Sequence, residues 1–399
     1  MSAIILDGQL KSALSAVRSL GRAGIRQSVG GERTTAMSLH SRYAGDVFVY
    51  PSPYTDKEGF IKRLKEEAIR LGDRPLIFAF SDATYLSLYE YRKELEAYMT
   101  LVFPSDQSVE IAFDKAATYS LAHVSGVQTI STYTPETKEE VKEVGRHLSY
   151  PAVVKTRRSV TWQEGRGFFG SATFVQDEQE LFETYFALRA KYGESPLIQD
   201  MMYGEEYGVE MLAREGNIYA LVVHHRVRSL SPTGGASVVK ETLQAGDLKN
   251  ALEEYAKILM RRLSWSGPIM VEFKVDHDSR KPYLMEINGR FWGSLPLSIA
   301  SGVDMPLLFY REVHGEVMKG IATGYEGART THFLGEILHL IRVLFARDSM
   351  RVFLYPKRIQ ALKDFLTPSL HVRDDVWSLT DPKPALMEIF DTIQKYLKK

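Results

Sequence analysis

The chain has 399 residues, 44% of them hydrophobic and 25% charged, with fifty Lys and Arg balanced by fifty Asp and Glu. A chain of this length divides into two or three compact units, and its charge balance offers neither a basic field for a nucleic-acid backbone nor an acidic tail, so nucleic acid is not an expected partner. It has no Cys, which excludes disulfides, thiolate catalysis and cysteine-ligated metal and fits a reducing, cytoplasmic setting.

The run Ala3 to Leu6 is too short for a signal-peptide core and is interrupted by Asp7, so export by that route is not expected. No segment reaches the roughly 20 apolar residues of a spanning helix, so no membrane partner is expected either. Short apolar runs then alternate with helical patterns: Ile4 to Leu6, a helix over Lys11 to Gly21, Ile25 to Val29, Val47 to Tyr50, a helix over Lys57 to Leu71, Pro75 to Phe80, and a helix from about Ala83. This order predicts a parallel, Rossmann-like α/β domain over residues 1–112. Its Leu6-Asp7-Gly8-Gln9-Leu10 turn carries one Gly where dinucleotide binding wants three.

A second unit is expected over residues 113–322, divided near residue 200. In its small part (115–200), helix, strand and helix lead to Ala152-Val153-Val154-Lys155, and Asp177 with Glu180 marks a capped helix start. In its large part (201–322), antiparallel-looking strands follow: Tyr207 to Leu212, Ile218 to Val223, Ile269 to Phe273 and Tyr283 to Ile287. The fold class is therefore α/β plus α+β. Residues 323–399 read as a mostly helical C-terminal extension, in which Ile337 to Phe345, with His339 and Arg342, is a packed helix.

The most informative residues are Glu272 and the run Glu286-Ile287-Asn288-Gly289-Arg290. Strand alternation puts Leu284, Glu286 and Asn288 on one face, and a turn at Asp278 to Lys281 would pair the two strands and bring Glu272 beside Glu286. Two carboxylates and an amide in an apolar hairpin suit a hard divalent cation such as Mg²⁺, with Mn²⁺ as the alternative. Arg290 stands close enough to hold a phosphoryl or carboxylate group with its planar fork, and its bland alternative is a surface ion pair. The segment from Gly165 through Gly167 and Gly170 to Ser171 reads either as a phosphate-approaching loop between antiparallel strands or as a mobile surface hairpin. Lys155 at a strand end and Lys115 at a helix start offer two cations. The connection Asp200-Met201-Met202 and then Glu206 could meet a nucleobase and ribose, although Met is also ordinary core filler. Adjacent His224 and His225 point to opposite strand faces and cannot chelate one zinc ion. Arg226 and Arg228, expected on one face, either close over an anionic substrate or form an exposed basic strand. Asp7-Gly8 and Ser81-Asp82, at the carboxyl ends of the first-domain strands, are candidates for contact with a second substrate.

Taken in order, these residues resemble the ATP-grasp superfamily over about residues 1–310. The resemblance implies that Lys115 and Lys155 bind ATP phosphates, the glycine-rich flap covers them, the hinge after Gln199-Asp200 holds adenine, Glu206 binds ribose, and Glu272, Glu286 and Asn288 hold Mg²⁺. It also implies a ligase joining a carboxylate to an amine, such as an amino acid or peptide-like molecule, through an acyl phosphate, with a homodimer as an allowed assembly. An ATP-grasp kinase, a carboxylase-type phosphoryl transfer and a nucleotide-binding regulator are the alternatives. Asp200 stands where the family usually has Glu, and Thr156 where Pro is common.

Overall fold

The computed structural model describes residues 1–231, 234–346, 355–366 and 372–397. The apolar runs of the first unit form a four-stranded parallel sheet in which Ala3–Ile5 lies between Gln27–Gly31 and Leu76–Phe78, with Asp46–Val49 outside Gln27–Gly31. The central strands are buried on both faces, which is why they read as continuous apolar runs rather than alternating ones. Helices Lys11–Arg22 and Lys57–Leu71 fall on the predicted segments. The second expected strand is displaced: Ile25 still belongs to the turn leaving the first helix, its N–H bonded to the Leu20 carbonyl, and pairing begins at Gln27.

The next unit is a four-stranded antiparallel sheet, ordered Thr132–Tyr133, Leu197–Asp200, Ala152–Lys155, Ala172–Val175. Leu181 and Tyr185 of helix Glu178–Tyr192 pack on Val154, Val175 and Ile198 of that sheet. Asp177 caps the helix as expected, accepting the Glu180 N–H at 2.8 Å. The glycine-rich segment is not one loop. Val160–Gln163 and Arg166–Phe169 pair as a hairpin, and the loop is only the two-residue turn Glu164-Gly165, with φ of 48° and 77°, a geometry whose twist matches that of the strands.

The large sheet runs Pro282–Asn288, Gly267–Asp276, Gly204–Arg214, Asn217–Ser231, Gly234–Thr242, all antiparallel neighbours. Helix Asp247–Leu263 covers one face through Leu252, Ala256, Leu259 and Met260, against Val209, Val223, Val271 and Phe273. The other face carries the polar residues considered below. The C-terminal extension contributes helices Phe333–Phe345, Arg358–Leu366 and Lys383–Leu397, and it also adds Arg329–Thr331 and Arg373–Asp374 to the large sheet. Asp375 accepts from both Lys11 and Lys240 at 2.6 Å in a buried group that fastens the first helix, the large sheet and the extension together. Among the described residues no helix is long and apolar enough to cross a membrane.

Candidate active site

Because the central strands are paired antiparallel in register, side chains line up in rows across the sheet. One row reads Lys274, Glu206, Arg226, Lys240; the next reads Glu286, Glu272, Gly208, His224; the next Asn288, Met270, Glu210, Val222. Glu272 and Glu286 are direct cross-strand partners, as the hairpin reading required. Asn288 Nδ2 donates to Glu272 Oε1 at 3.0 Å, and Arg290 Nη2 donates to Asn288 Oδ1 at 3.0 Å. One expectation fails. The register shifts between Glu272 and Phe273, so Met285 is an extra residue and Leu284 turns to the core with Phe273, leaving Glu286 and Asn288 on the polar face without it.

Lys115 and Lys155 both converge on this group. Lys115, whose helix is capped by Asp114, lies 3.4 Å from Glu286 Oε2 and donates to Ser159 Oγ at 3.0 Å. Lys155 Nζ donates to the Tyr119 hydroxyl at 2.7 Å and to Gln199 Oε1 at 2.8 Å. Burial, reinforced by Lys115, lowers the Lys155 pKa to about 7. Burial also works against the Glu286 charge, but Lys115 and Lys155 outweigh it and hold that carboxyl below the usual range. Burial, with Glu286 and Glu206 nearby, holds Glu272 above the usual range although Arg226 opposes this. A bound polyphosphate would raise the Lys155 pKa again. Nucleotide binding near about pH 8 is therefore expected to take up close to one proton, falling toward none near about pH 6, where the lysine is already charged. Calorimetry in two buffers of different ionisation enthalpy measures the uptake, and an absence of uptake at the higher pH would remove Lys155 from the anion site.

The remaining predicted residues are placed as follows. Arg226 bridges Glu206 Oε2 at 2.6 Å and Glu272 Oε2 at 2.9 Å, inside the polar row. Arg228 leaves that group, because the register shifts again between Arg226 and Arg228 and its guanidinium pairs with Glu336 and, at 3.6 Å, Asp364 of the C-terminal helices. Asp200, Met201 and Met202 lie half-buried at the connection between the two sheets, but the hinge side chain that reaches Lys155 is Gln199. Gly167 and Gly170 are glycines because of what packs on them: a Cβ on Gly167 would stand 2.7 Å from Tyr54 Cδ1, and one on Gly170 would stand 2.5 Å from the Arg158 carbonyl. Ser171 N–H donates to Thr156 Oγ1 at 3.1 Å. His224 does not share a partner with His225: it lies over Gly208, with Nδ1 3.1 Å from the buried Glu210, which Ser294 and Ser298 also bond. Asp7 is fully buried and accepts from Phe80 N, Ser81 N, Ser81 Oγ and Thr84 Oγ1, so its carboxylate holds the first-domain strand ends. Asp82 does reach the site, accepting from Arg290 Nε at 2.6 Å. Tyr119 and Gln199 thus join the site as partners of Lys155, and Asp82, expected as a second-substrate contact, joins it as the partner of Arg290.

No group of three or more His, Cys, Asp or Glu is placed to hold a metal among the described residues. The candidate set is two carboxylates and an amide, all oxygen donors, which fits a hard cation that keeps several waters. A parallel α/β unit followed by a four-stranded antiparallel sheet and a larger, mainly antiparallel sheet is the architecture that the ATP-grasp resemblance implies, and comparison with known proteins bears out that fold. The chain has the ATP-grasp fold. Residues 194–333 match the family model described as ATP-grasp in the biosynthetic pathway with Ter operon. The fold is similar to the biotin carboxylase domain of 2-oxoglutarate carboxylase from Hydrogenobacter thermophilus, a dimer in complex with MgADP and bicarbonate (TM-score 0.65, 16% identity, 82% of this chain and 73% of that one). It is also similar to N5-carboxyaminoimidazole synthetase from Staphylococcus aureus (TM-score 0.64, 16% identity, 86% and 85%) and to L-amino acid ligase from Bacillus licheniformis (TM-score 0.59, 16% identity, 79% and 75%). The carbamoyl phosphate synthase large chain of Agathobacter rectalis is 24% identical over 219 residues, which are 54% of this chain and 20% of that relative.

Proposed function

We propose that this chain is an ATP- and Mg²⁺-dependent ligase that activates a carboxylate as an acyl phosphate and joins it to an amine. The observation that carries the reading is the cross-strand pair Glu272 and Glu286 with Asn288 beside it, faced by Lys115, Lys155 and Arg290. The likeness to a synthetase and an amino acid ligase supports the choice of amide-type bond formation. The coordinating residues would be Glu272, Glu286 and Asn288, and the ion they hold would spread the charge of the transferring phosphoryl group.

The chain's own residues do the rest. Lys115 and Lys155 meet the phosphates, Glu206 and the 200–202 connection meet the nucleoside, and Arg226 neutralises Glu206 and Glu272. Arg290 uses three of its five N–H donors on Asp82, Phe291 and Asn288, which fixes its plane and leaves two for a substrate anion. A substrate carboxylate oxygen attacks the γ-phosphorus, ADP leaves, and the amine then displaces phosphate from the acyl carbon. With ATP, Mg²⁺ and a panel of carboxylates that includes bicarbonate, hydroxylamine is expected to trap an acyl hydroxamate while ADP and phosphate form in equal amounts. ADP release that yields a stable phosphorylated product and no hydroxamate would replace the ligase by a kinase, and turnover confined to bicarbonate would replace it by a carboxylase-type reaction.

A further inference from the structure

The 160–169 hairpin does not stand free over the cleft. It is fastened to the N-terminal domain through the corner that joins strand Asp46–Val49 to helix Lys57–Leu71. Gly167 N–H donates to the Tyr54 carbonyl at 2.7 Å, and Trp162 Nε1–H donates to the Pro53 carbonyl at 3.2 Å. The Lys57 ammonium lies 4.2 Å from the centre of the Trp162 ring, and the rings of Tyr54 and Phe169 are 4.5 Å apart. Gly167 is the tightest point: a Cβ there would meet Tyr54 Cδ1 at 2.7 Å and Tyr54 Cα at 3.1 Å, so the approach requires glycine, although its backbone is not in the left-handed region. Both acceptors are main-chain carbonyls, and Phe169 stays 69% exposed, so the contact is a surface clasp rather than an extension of a core.

The same residue borders the chemistry. The Tyr54 hydroxyl is buried without a hydrogen-bond partner among the described residues, and the charges acting on it are those of Asp82, Asp7, Glu32 and Arg290. Tyr54 therefore touches the hairpin with its ring and carbonyl while its buried hydroxyl lies in the field of Asp82, Asp7, Glu32 and Arg290.

We propose that the Pro53–Tyr54 corner is a latch that positions the 160–169 hairpin over the nucleotide cleft, with Gly167 as the seat of Tyr54. The latch itself is read from the contacts above; its effect on ATP rests on the ligase reading. In the full chain without ligand, hydrogen–deuterium exchange of the 160–169 amides is expected to speed up about tenfold in Gly167→Ala and in Tyr54→Ala and to stay at the wild-type rate in Tyr54→Phe, which keeps the ring and the carbonyl. Trp162→Phe, which removes one donor without adding bulk, should give a smaller rise and serves if Gly167→Ala folds poorly. In turnover, Gly167→Ala should raise the half-saturating ATP concentration several-fold at a maximal rate within about twofold of wild type, a split that a loss of folded protein would not produce. Wild-type exchange in both Gly167→Ala and Tyr54→Ala would overturn the latch. Faster exchange with an unmoved ATP requirement would overturn its positioning role. A wild-type chain that turns over no ATP would sink the ligase reading, and the exchange result would still decide the latch.

Discussion

Glu286→Gln is expected to lower ATP turnover by about a hundredfold or more while leaving the fold in place, since an interaction worth several kcal/mol to the transferring phosphoryl group corresponds to that factor or beyond. The side chain is nearly isosteric and stands on the polar face, so packing changes little. What changes is charge. Glu286 is one of two carboxylates in the candidate metal set and the nearest anion to Lys115, at 3.4 Å. Without its charge, Lys115 and Lys155 repel each other with less compensation, and the Lys155 pKa, already lowered to about 7 by burial and Lys115, falls further. Two readouts follow from one substitution: the Mg²⁺ concentration needed for residual turnover rises, and proton uptake on nucleotide binding grows at neutral pH. Wild-type turnover in a correctly folded Glu286→Gln chain would dismiss the metal assignment. Asn288→Ala should act more mildly on charge but also frees Glu272 Oε1 and Arg290 Nη2, which the amide now bonds.

The pairing of Glu272 with Glu286 is legible in the sequence because Val271 to Asp276 alternates apolar with polar residues, Met285 to Asn288 does the same, and the turn between them contains Asp278 to Lys281. What the sequence concealed were single-residue register shifts. Met285 sits among Tyr283, Leu284 and Ile287, all apolar or aromatic, so an inserted residue leaves no mark on the pattern, and alternation alone puts Leu284 on the wrong face. The shift after Arg226 hid the departure of Arg228 in the same way. Gln199 was hidden by a period of two: Asp200, one residue on, carries the more conspicuous charge, but Gln199 shares a face with Leu197, the register partner of Lys155. Asp7 looked like a ligand contact at a strand end, and the four donors that enclose it come partly from Thr84, 77 positions away. Glycines in the hairpin looked like phosphate-facing glycines. Gly167 instead answers to Tyr54, more than a hundred residues earlier, a constraint that only closure of the tertiary structure creates.

Arg290→Ala is expected to be the most damaging single change, removing turnover and hydroxamate formation together by about a thousandfold, the upper range for deleting one preorganised donor group at a developing charge. Its guanidinium joins elements 208 positions apart in sequence: Nε to Asp82 at the start of a first-domain helix, Nη2 to Asn288 in the candidate metal set. Both members of the Arg290–Asp82 pair are largely buried, with side chains 17% and 11% exposed. Removing one partner of a buried pair leaves an uncompensated charge and costs about 3–5 kcal/mol, so Arg290→Ala should also lower the melting temperature. Stability and chemistry must therefore be separated, and Asp82→Asn does so. It keeps an acceptor for Nε and leaves Arg290 in place, and a purely structural pair predicts that each variant loses activity only as far as it loses folded protein. If Arg290 instead steadies the acyl phosphate with its two uncommitted donors, Asp82→Asn retains most of the hydroxamate yield at temperatures where it is folded, whereas Arg290→Ala retains none. Arg290→Lys sharpens the test: an ammonium keeps the charge but cannot hold Asp82, Asn288 and a substrate oxygen in one plane, so its hydroxamate yield should lie near that of Arg290→Ala even when its melting temperature recovers. Equal hydroxamate yields for Asp82→Asn and Arg290→Ala, both measured on folded protein, would reduce Arg290 to a structural link between the two domains.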